Sequence, residues 1–378
     1  MIFLDSAATT LQKPPAVAKA VARAMGTLAS PGRGGYPAAA QAAETVFRCR
    51  ETAAKLFGAA GPEQVVLTTS ATHGLNIAIR SLAKNGGRAV ISGYEHNAVT
   101  RTLSSLPEVQ VDVARGRLFH PEELAAEFAR LLPGADFAVC CHVSNVFGYI
   151  LPLEEIAGLC KTYGVPLVVD AAQSAGTVPL NMEALGAAYL AMPGHKGLYG
   201  PQGTGLLLCA PGVEPLPFLT GGTGSNSKLQ EMPDFLPDRL EAGTHNVPGA
   251  AGLTAGMEFV QALGVARIGA REQALRRQLV RALRDVPDLY PIESPRPELQ
   301  SGVVSLVSKT HDVEALGNAL GQRGFCVRAG YHCAPLAHES GGTLATGTVR
   351  VSFSAFNRGW EVRCLAEALA DVTGRSNS

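Results

Sequence analysis

Short runs of β-branched and apolar residues alternate through the middle of the chain with stretches whose apolar positions recur at helical spacing. "QVVLTTS" (64–70) reads as a strand and "THGLNIAIRSLAK" as the helix after it. "RAVISG" (88–93) is the next strand, with a helix from about His96. "VQVDVA" (109–114) precedes a helix in "PEELAAEFARLL" (121–132), and "DFAVCCHVS" (136–144) precedes another in "LEEIAGLCKTYG" (153–164). "PLVVDAAQ" (166–173), "AAYLAMP" (187–193) and "TGLLLCA" (204–210) complete the series of strands. Alternation of this kind predicts an α/β fold, a mostly parallel sheet with helices on both faces. Such sheets bind ligands at the carboxyl ends of their strands, so the informative residues should follow the runs just named.

From about Gly249 the texture changes. Two helical stretches (249–264 and 267–285) lead through a proline-rich connection to "SGVVSLVS" (strand), "DVEALGNALGQRG" (helix), "FCVRAG" (strand), "TVRVSFS" (strand) and a last helix. This predicts a smaller α+β domain. No internal repeat or low-complexity segment is evident.

Composition narrows the function classes. Lys+Arg and Asp+Glu stand at 32 each, so no basic face for nucleic acid is visible. No apolar run reaches the ~18 residues of a membrane span. The N-terminus has Asp5 and no basic region before a long apolar one, so it does not read as a signal peptide. A cytoplasmic chain with reduced thiols is expected. None of the 8 cysteines forms a CxxC pair or a zinc-like spacing, and no metal is expected. Seven fall in apolar or helix-like runs and read as small buried hydrophobes. Cys333, in "RAGYHCAPLAHES", does not.

Several polar residues follow the predicted strands. Lys196 lies in the glycine-rich "AMPGHKGLYGPQGTG", where its amine can anchor a carbonyl cofactor, although an ordinary loop lysine fits that stretch equally well. Asp170 ends a very apolar strand, where an unpaired carboxylate is costly and a cationic partner is wanted; an Asp capping the next turn is the plainer alternative. "LTTSATHGLN" opens a helix near Thr72, and free N–H groups there suit a phosphate, as well as a simple cap at Ser70 or Thr72. His96, in "GYEHNAVTR", could stack on a flat cofactor or be merely structural.

In order, "LDSAATT", "SATHGLN", "YEHN", "HVSNVFG", "VDAAQS", "GHKGLYGP", "LEAGTHN", "YHCA" and "VRVSFSAFN" resemble the motifs of the class V aminotransferase group, and most closely those of the cysteine desulfurases. The likeness spans nearly the whole chain. It implies a pyridoxal 5'-phosphate enzyme of fold type I, with a mostly parallel seven-stranded sheet, active as a homodimer. Residues 14–252 would form the large cofactor domain, and 1–13 with 253–378 the small domain carrying the cysteine loop. By the same resemblance Lys196 is the Schiff-base lysine, Asp170 the pyridinium partner, His96 the stacking ring and Gln173 the partner of the ring hydroxyl. Ala71 (through its backbone), Thr72 and His195 match phosphate ligands. Thr244 matches a phosphate contact supplied from the other subunit. Asn145 and Arg350 match the holders of the substrate carboxylate, and Cys333 the nucleophile.

The resemblance implies conversion of L-cysteine to L-alanine, with the sulfur taken by Cys333 as a persulfide. Arg328 and His332, close in sequence, could favour its thiolate. A mobile loop is expected, with "ESGGTLATG" (339–347) as a hinge. Only 17 positions separate Cys333 from Arg350, which is similar to the type II (Suf-like) group and implies a sulfur-acceptor protein serving iron-sulfur cluster assembly or other sulfur metabolism. A selenocysteine lyase acting on L-selenocysteine would share these residues. Another C–S lyase or an aminotransferase of the same fold is the further alternative, and a catalytically silent scaffold would lack the set. Two departures stand out: Gly197 directly after Lys196, and "SPGRGGYPAAAQ" (30–41), with Tyr36 where the family often has His.

Overall fold

A computed structural model describes residues 1–32 and 34–374; Arg33, inside the 30–41 stretch, lies outside the described residues. The N-terminal part runs β1 (Ile2–Phe3), α1 (Pro15–Thr27), α2 (Pro37–Phe57), β2 (Val65–Thr68), α3 (Ala71–Leu82), β3 (Gly87–Ser92), α4 (Asn97–Ser104), β4 (Val109–Ala114) and α5 (Pro121–Leu131). It continues with β5 (Phe137–Cys141), α6 (Leu153–Tyr163), β6 (Leu167–Asp170), α7 (Met182–Leu185), β7 (Tyr189–Pro193), β8 (Gly205–Cys209) and α8 (Val247–Leu263). The C-terminal part follows as α9 (Val265–Ala282), β9 (Leu289–Ile292), β10 (Val303–Ser308), α10 (Val313–Gln322), β11 (Phe325–Cys326), β12 (Arg328–Gly330), α11 (Pro335–Ser340), β13 (Thr348–Ser352) and α12 (Gly359–Val372).

The large sheet has seven strands in the order β2-β8-β7-β6-β5-β3-β4. Pairing is parallel from β7 through β6, β5 and β3 to β4, and β8 alone runs against its neighbours. Every residue of β5, β6, β7 and β8 is buried, as expected of strands covered by helices on both faces. The α/β class and the mostly parallel sheet read from the sequence are therefore observed. Apolar side chains on the two faces form separate clusters, one around Phe128, Phe147 and Leu253, the other around Leu75, Ile79 and Leu207.

The C-terminal part builds an antiparallel sheet, β12-β13-β10-β9, over α9, α10 and α12. Leu4 from the N-terminus packs into that core. One expected strand is two. "FCVRAG" breaks at Val327: β11 pairs with β1, whereas β12 pairs with β13. Both halves are β-prone, so local preference gives no sign that the chain changes sheets between them. The switch sets Arg328 directly opposite Arg350.

Gly197 has a packing reason. A Cβ there would stand 2.3 Å from the Ala175 carbonyl oxygen, and one on Gly176 would stand 2.1 Å from that of Gly197. Gly176 also has φ +90°. The segment leaving β6 and the turn leaving β7 therefore touch backbone to backbone, a separation only glycine allows. Gly176→Ala should cost about 1–3 kcal/mol and lower the urea midpoint at unchanged m value. An unchanged midpoint would mean that the contact is not tight in solution.

Candidate active site

The carboxyl ends of the parallel strands converge on one cavity, lined by Ala71, Thr72, His96, Asn145, Asp170, Gln173, His195 and Lys196, among others. Each expected residue leaves its strand in turn. Ala71 and Thr72 begin α3, where the Ser70 side chain accepts from the His73 N–H as N-cap. That cap satisfies one amide of the first turn and leaves those of Ala71 and Thr72 without helical acceptors, a ready site for an anion. His96 caps α4: its Nδ1 accepts from the Ala98 N–H at 3.0 Å, so a neutral ring carries its proton on Nε2. Burial, then the charges of Lys196, Arg328 and Arg350, bring His96 down to about 4. It is a neutral ring at physiological pH.

Asp170 is buried at the end of β6, where its Oδ1 accepts from the Ala172 N–H at 2.8 Å. Burial pushes its carboxyl up, while that N–H and the Lys196 charge pull it back. Gln173 is held by a 3.0 Å bond from its Nε2 to the Ala7 carbonyl. Lys196 comes down from 10.5 to about 8, chiefly through burial, with Arg350 and Arg328 adding to the effect and Asp170 opposing it. His195 is likewise lowered to about 4 by burial, then by Lys196 and Lys13.

A second group meets these residues from the C-terminal part. Arg328 and Arg350 face each other across β12 and β13, a like-charge pairing that is unfavourable unless anions offset it. Arg350 is 1% exposed. Its Nη2 bonds Asp5 Oδ1 at 2.7 Å and its Nη1 the Asn145 carbonyl at 3.0 Å, while its Nε has no partner among the described residues. Asn145 Nδ2 in turn donates to the His332 carbonyl at 2.8 Å.

Cys333 is exposed, whereas Cys49, Cys140, Cys141, Cys160 and Cys209 are buried and Cys326 and Cys364 partly so. Burial raises Cys49 to about 11 and Cys160 to about 12, so those thiols are inert. Arg328 Nη2 donates to Cys333 Sγ at 3.4 Å. His332 and Cys333 both have positive φ, 52° and 57°, a left-handed pair rare among residues other than glycine. The Asn97 N–H bonds the Cys333 carbonyl at 2.8 Å, which together with the Asn145 bond to His332 holds the turn. Backbone strain maintained in this way is characteristic of functional positions.

Two expectations need adjusting. His332 gives no charge to Cys333: its ring is buried, its Nε2 faces Thr348 Oγ1 at 2.9 Å, and burial first, then Arg350, lowers it to about 2. The cysteine segment is pinned by the bonds just named, and α11 continues it in place of a free loop. Thr244, expected to serve the other subunit's phosphate site, does not line the Lys196 cavity of its own chain. It is exposed and lines another cavity with Thr69 and His73, on a loop anchored by the buried Arg50–Glu241 pair.

Other residues at the site were not singled out from the sequence. Thr9, Thr10 and Lys13 bond the His195–Lys196 turn. Asp5 holds Arg350. Glu95, fully buried beneath the cavity, bonds Ser92 and the Cys141 N–H and is raised to about 8 by burial. The available signal was the run of polar residues in "LDSAATTLQK" ahead of any helix. Among the described residues no cluster of His, Cys, Asp or Glu could hold a metal, and no helix is long and apolar enough to cross a membrane.

The Aminotransferase class-V family profile matches residues 2–365, and the chain belongs to that family. A probable cysteine desulfurase of Methanothermobacter thermautotrophicus is 30% identical over 99% of this chain and 95% of its own length. Another, of Mycolicibacterium paratuberculosis, is 33% identical over 98% of this chain, which spans 55% of that longer protein. The apo structure of a cysteine desulfurase from Thermococcus onnurineus NA1 superimposes with a TM-score of 0.90 at 28% identity, covering 98% of this chain and 94% of that one. The fold type I architecture implied by the sequence is thus the one found.

The depressed Lys196 amine gives a direct test. Its capture of pyridoxal 5'-phosphate by the ligand-free protein, trapped with borohydride and located by mass spectrometry, should rise with pH through a midpoint near 8. Lys196→Ala should show no capture at that position. A midpoint at the ordinary 10.5 would show that the fold does not desolvate the amine.

Proposed function

We propose that this chain is a pyridoxal 5'-phosphate-dependent cysteine desulfurase, converting L-cysteine to L-alanine and taking the sulfur onto Cys333. The observation that carries this reading is the strained, exposed Cys333 turn, bonded to Arg328 and placed by Asn97 and Asn145 beside the Lys196 cavity.

The residues present suit the cofactor. The start of α3 offers amides for a phosphate, Asp170 offers a buried carboxylate for a ring N–H⁺, and neutral His96 offers a flat face. Lys196 offers an amine that gives up its proton near pH 8, well below the usual lysine range. When bound, pyridoxal phosphate supplies a carbonyl that links to amines and a ring that accepts the electron pair released at the substrate carbon. Lys196 Nζ takes the substrate's α-proton, and a proton is returned to carbon on the way to alanine. Arg350 and Asn145 hold the substrate carboxylate, with the free Nε of Arg350 and the facing Arg328 supplying the unmet positive charge. Cys333 Sγ attacks the substrate sulfur: the carbon–sulfur bond breaks, a sulfur–sulfur bond forms, and the net change is thiol plus L-cysteine to persulfide plus L-alanine.

Because the turn is pinned, a sulfur acceptor comes to Cys333 at the surface, in the manner of the type II group. The sulfur would then serve iron-sulfur cluster assembly or other sulfur metabolism. The exposed Thr244 fits a homodimer in which that loop faces the partner's phosphate site.

Cys333→Ala should retain bound cofactor and lose sulfide release from L-cysteine, measured with a reducing thiol present, by more than ~100-fold. Equal amounts of alanine and sulfide are expected from the unsubstituted protein. Pyruvate as the main product would overturn the desulfurase reading, and turnover confined to L-selenocysteine would replace it with a selenocysteine lyase.

A further inference from the structure

The His195 carbonyl is the most heavily bonded acceptor at the site. It receives the Thr10 N–H at 3.1 Å, Thr10 Oγ1 at 3.0 Å, Thr9 Oγ1 at 3.3 Å and Lys13 Nζ at 2.8 Å. Thr10 Oγ1 also reaches the Lys196 carbonyl at 3.2 Å, and Lys13 Nζ bonds Thr10 Oγ1 at 2.6 Å. On the ring side, His195 Nδ1 lies 3.0 Å from Thr9 Oγ1. Backbone and ring of the residue before Lys196 are therefore both fixed by one five-residue N-terminal segment.

Lys13 is unusual within this set. It is half-buried and forms no ion pair among the described residues; its partners are a hydroxyl and a carbonyl. Leaving an ammonium desolvated without a counter-charge is costly. A structural tie to one carbonyl needs no charge, whereas a site that receives an anion makes use of one.

We infer that Thr9, Thr10 and Lys13 clamp the lysine turn, and that Lys13 is a positioning residue: its charged hydrogen bonds hold the His195–Lys196 backbone against the cofactor cavity. The inference rests on the cofactor-binding part of the proposed function, not on the fate of sulfur. The titration behaviour agrees with it. Burial brings Lys13 down to about 8, so it is charged at neutral pH, and its charge is one of the influences that lower His195, alongside burial and Lys196. Of the groups around His195, Lys13 approaches from the N-terminal segment and Lys196 from its own turn, and the facing Thr9 hydroxyl is uncharged.

The test compares Lys13→Met with Lys13→Arg. In ligand-free protein, NMR titration of the His195 imidazole should shift to higher pH in Lys13→Met, because a neighbouring cation has gone, and stay near the native value in Lys13→Arg. Capture of pyridoxal 5'-phosphate by Lys196 should weaken at least about tenfold in Lys13→Met, as expected for losing a charged hydrogen bond at the turn, and should recover in Lys13→Arg. Thr10→Val should weaken capture without moving the His195 titration, which separates the backbone tie from the charge. Native titration and capture in Lys13→Met would overturn the inference. Both readouts omit L-cysteine, so a protein that releases no sulfide would remove the desulfurase reading and leave the clamp standing.

Discussion

A parallel sheet covered on both faces can hold charge only at its strand ends. β5, β6, β7 and β8 expose nothing along their length, and a charge inside them would have neither water nor a partner. Asp170, Lys196, His96 and Asn145 stand at or just beyond strand termini for this reason. The same constraint makes their environment half-desolvated, so burial is the first cause of every shift among the titratable groups there: down for His96, His195 and Lys196, up for Asp170. The fold thus supplies neutral imidazoles and an amine that loses its proton near pH 8 without needing a special device at each residue.

What burial does not supply is balance of charge. Arg328 and Arg350 stand opposite one another, and among the described residues Lys13 forms no ion pair and Asp5 answers Arg350 alone. A folded chain tolerates such an excess when it is small beside the total burial, and it becomes favourable when an anionic ligand enters. An amino-acid carboxylate would be one such ligand, and the Arg328–Arg350 pair between β12 and β13 stands where it could be met.

Most of the large sheet was legible because its strands are short apolar runs ended by glycine or polar residues, a pattern that survives without tertiary information. Cys333 stood out because its neighbours are polar, and Asp170 because its strand is not. The split of "FCVRAG" was hidden, since both pieces favour strand and only the pairing with β1 and β13 separates them. The roles of Asp5, Thr9, Thr10 and Lys13 were hidden by distance: they meet partners 182 or more positions away, and nothing local in a coil segment indicates a carbonyl that far along the chain. His332 misled because adjacency in sequence suggested adjacency to the thiol, whereas the left-handed turn sends the imidazole inward and the thiol outward.

That turn also bears on how sulfur would leave. Two successive left-handed residues cost about 1–3 kcal/mol each and persist only where surrounding bonds over-determine them. Here the Asn97 amide, the Asn145 side chain and Thr348 together do so, and Ala334, directly after the cysteine, is wholly buried. Swinging Cys333 far from the cavity would break these bonds and expose Ala334 and His332 together. A short rotation about the Cys333 side-chain bond breaks none of them. The economical path for a persulfide would therefore be to stay on a fixed backbone and turn its outer sulfur from the Arg328 side toward solvent.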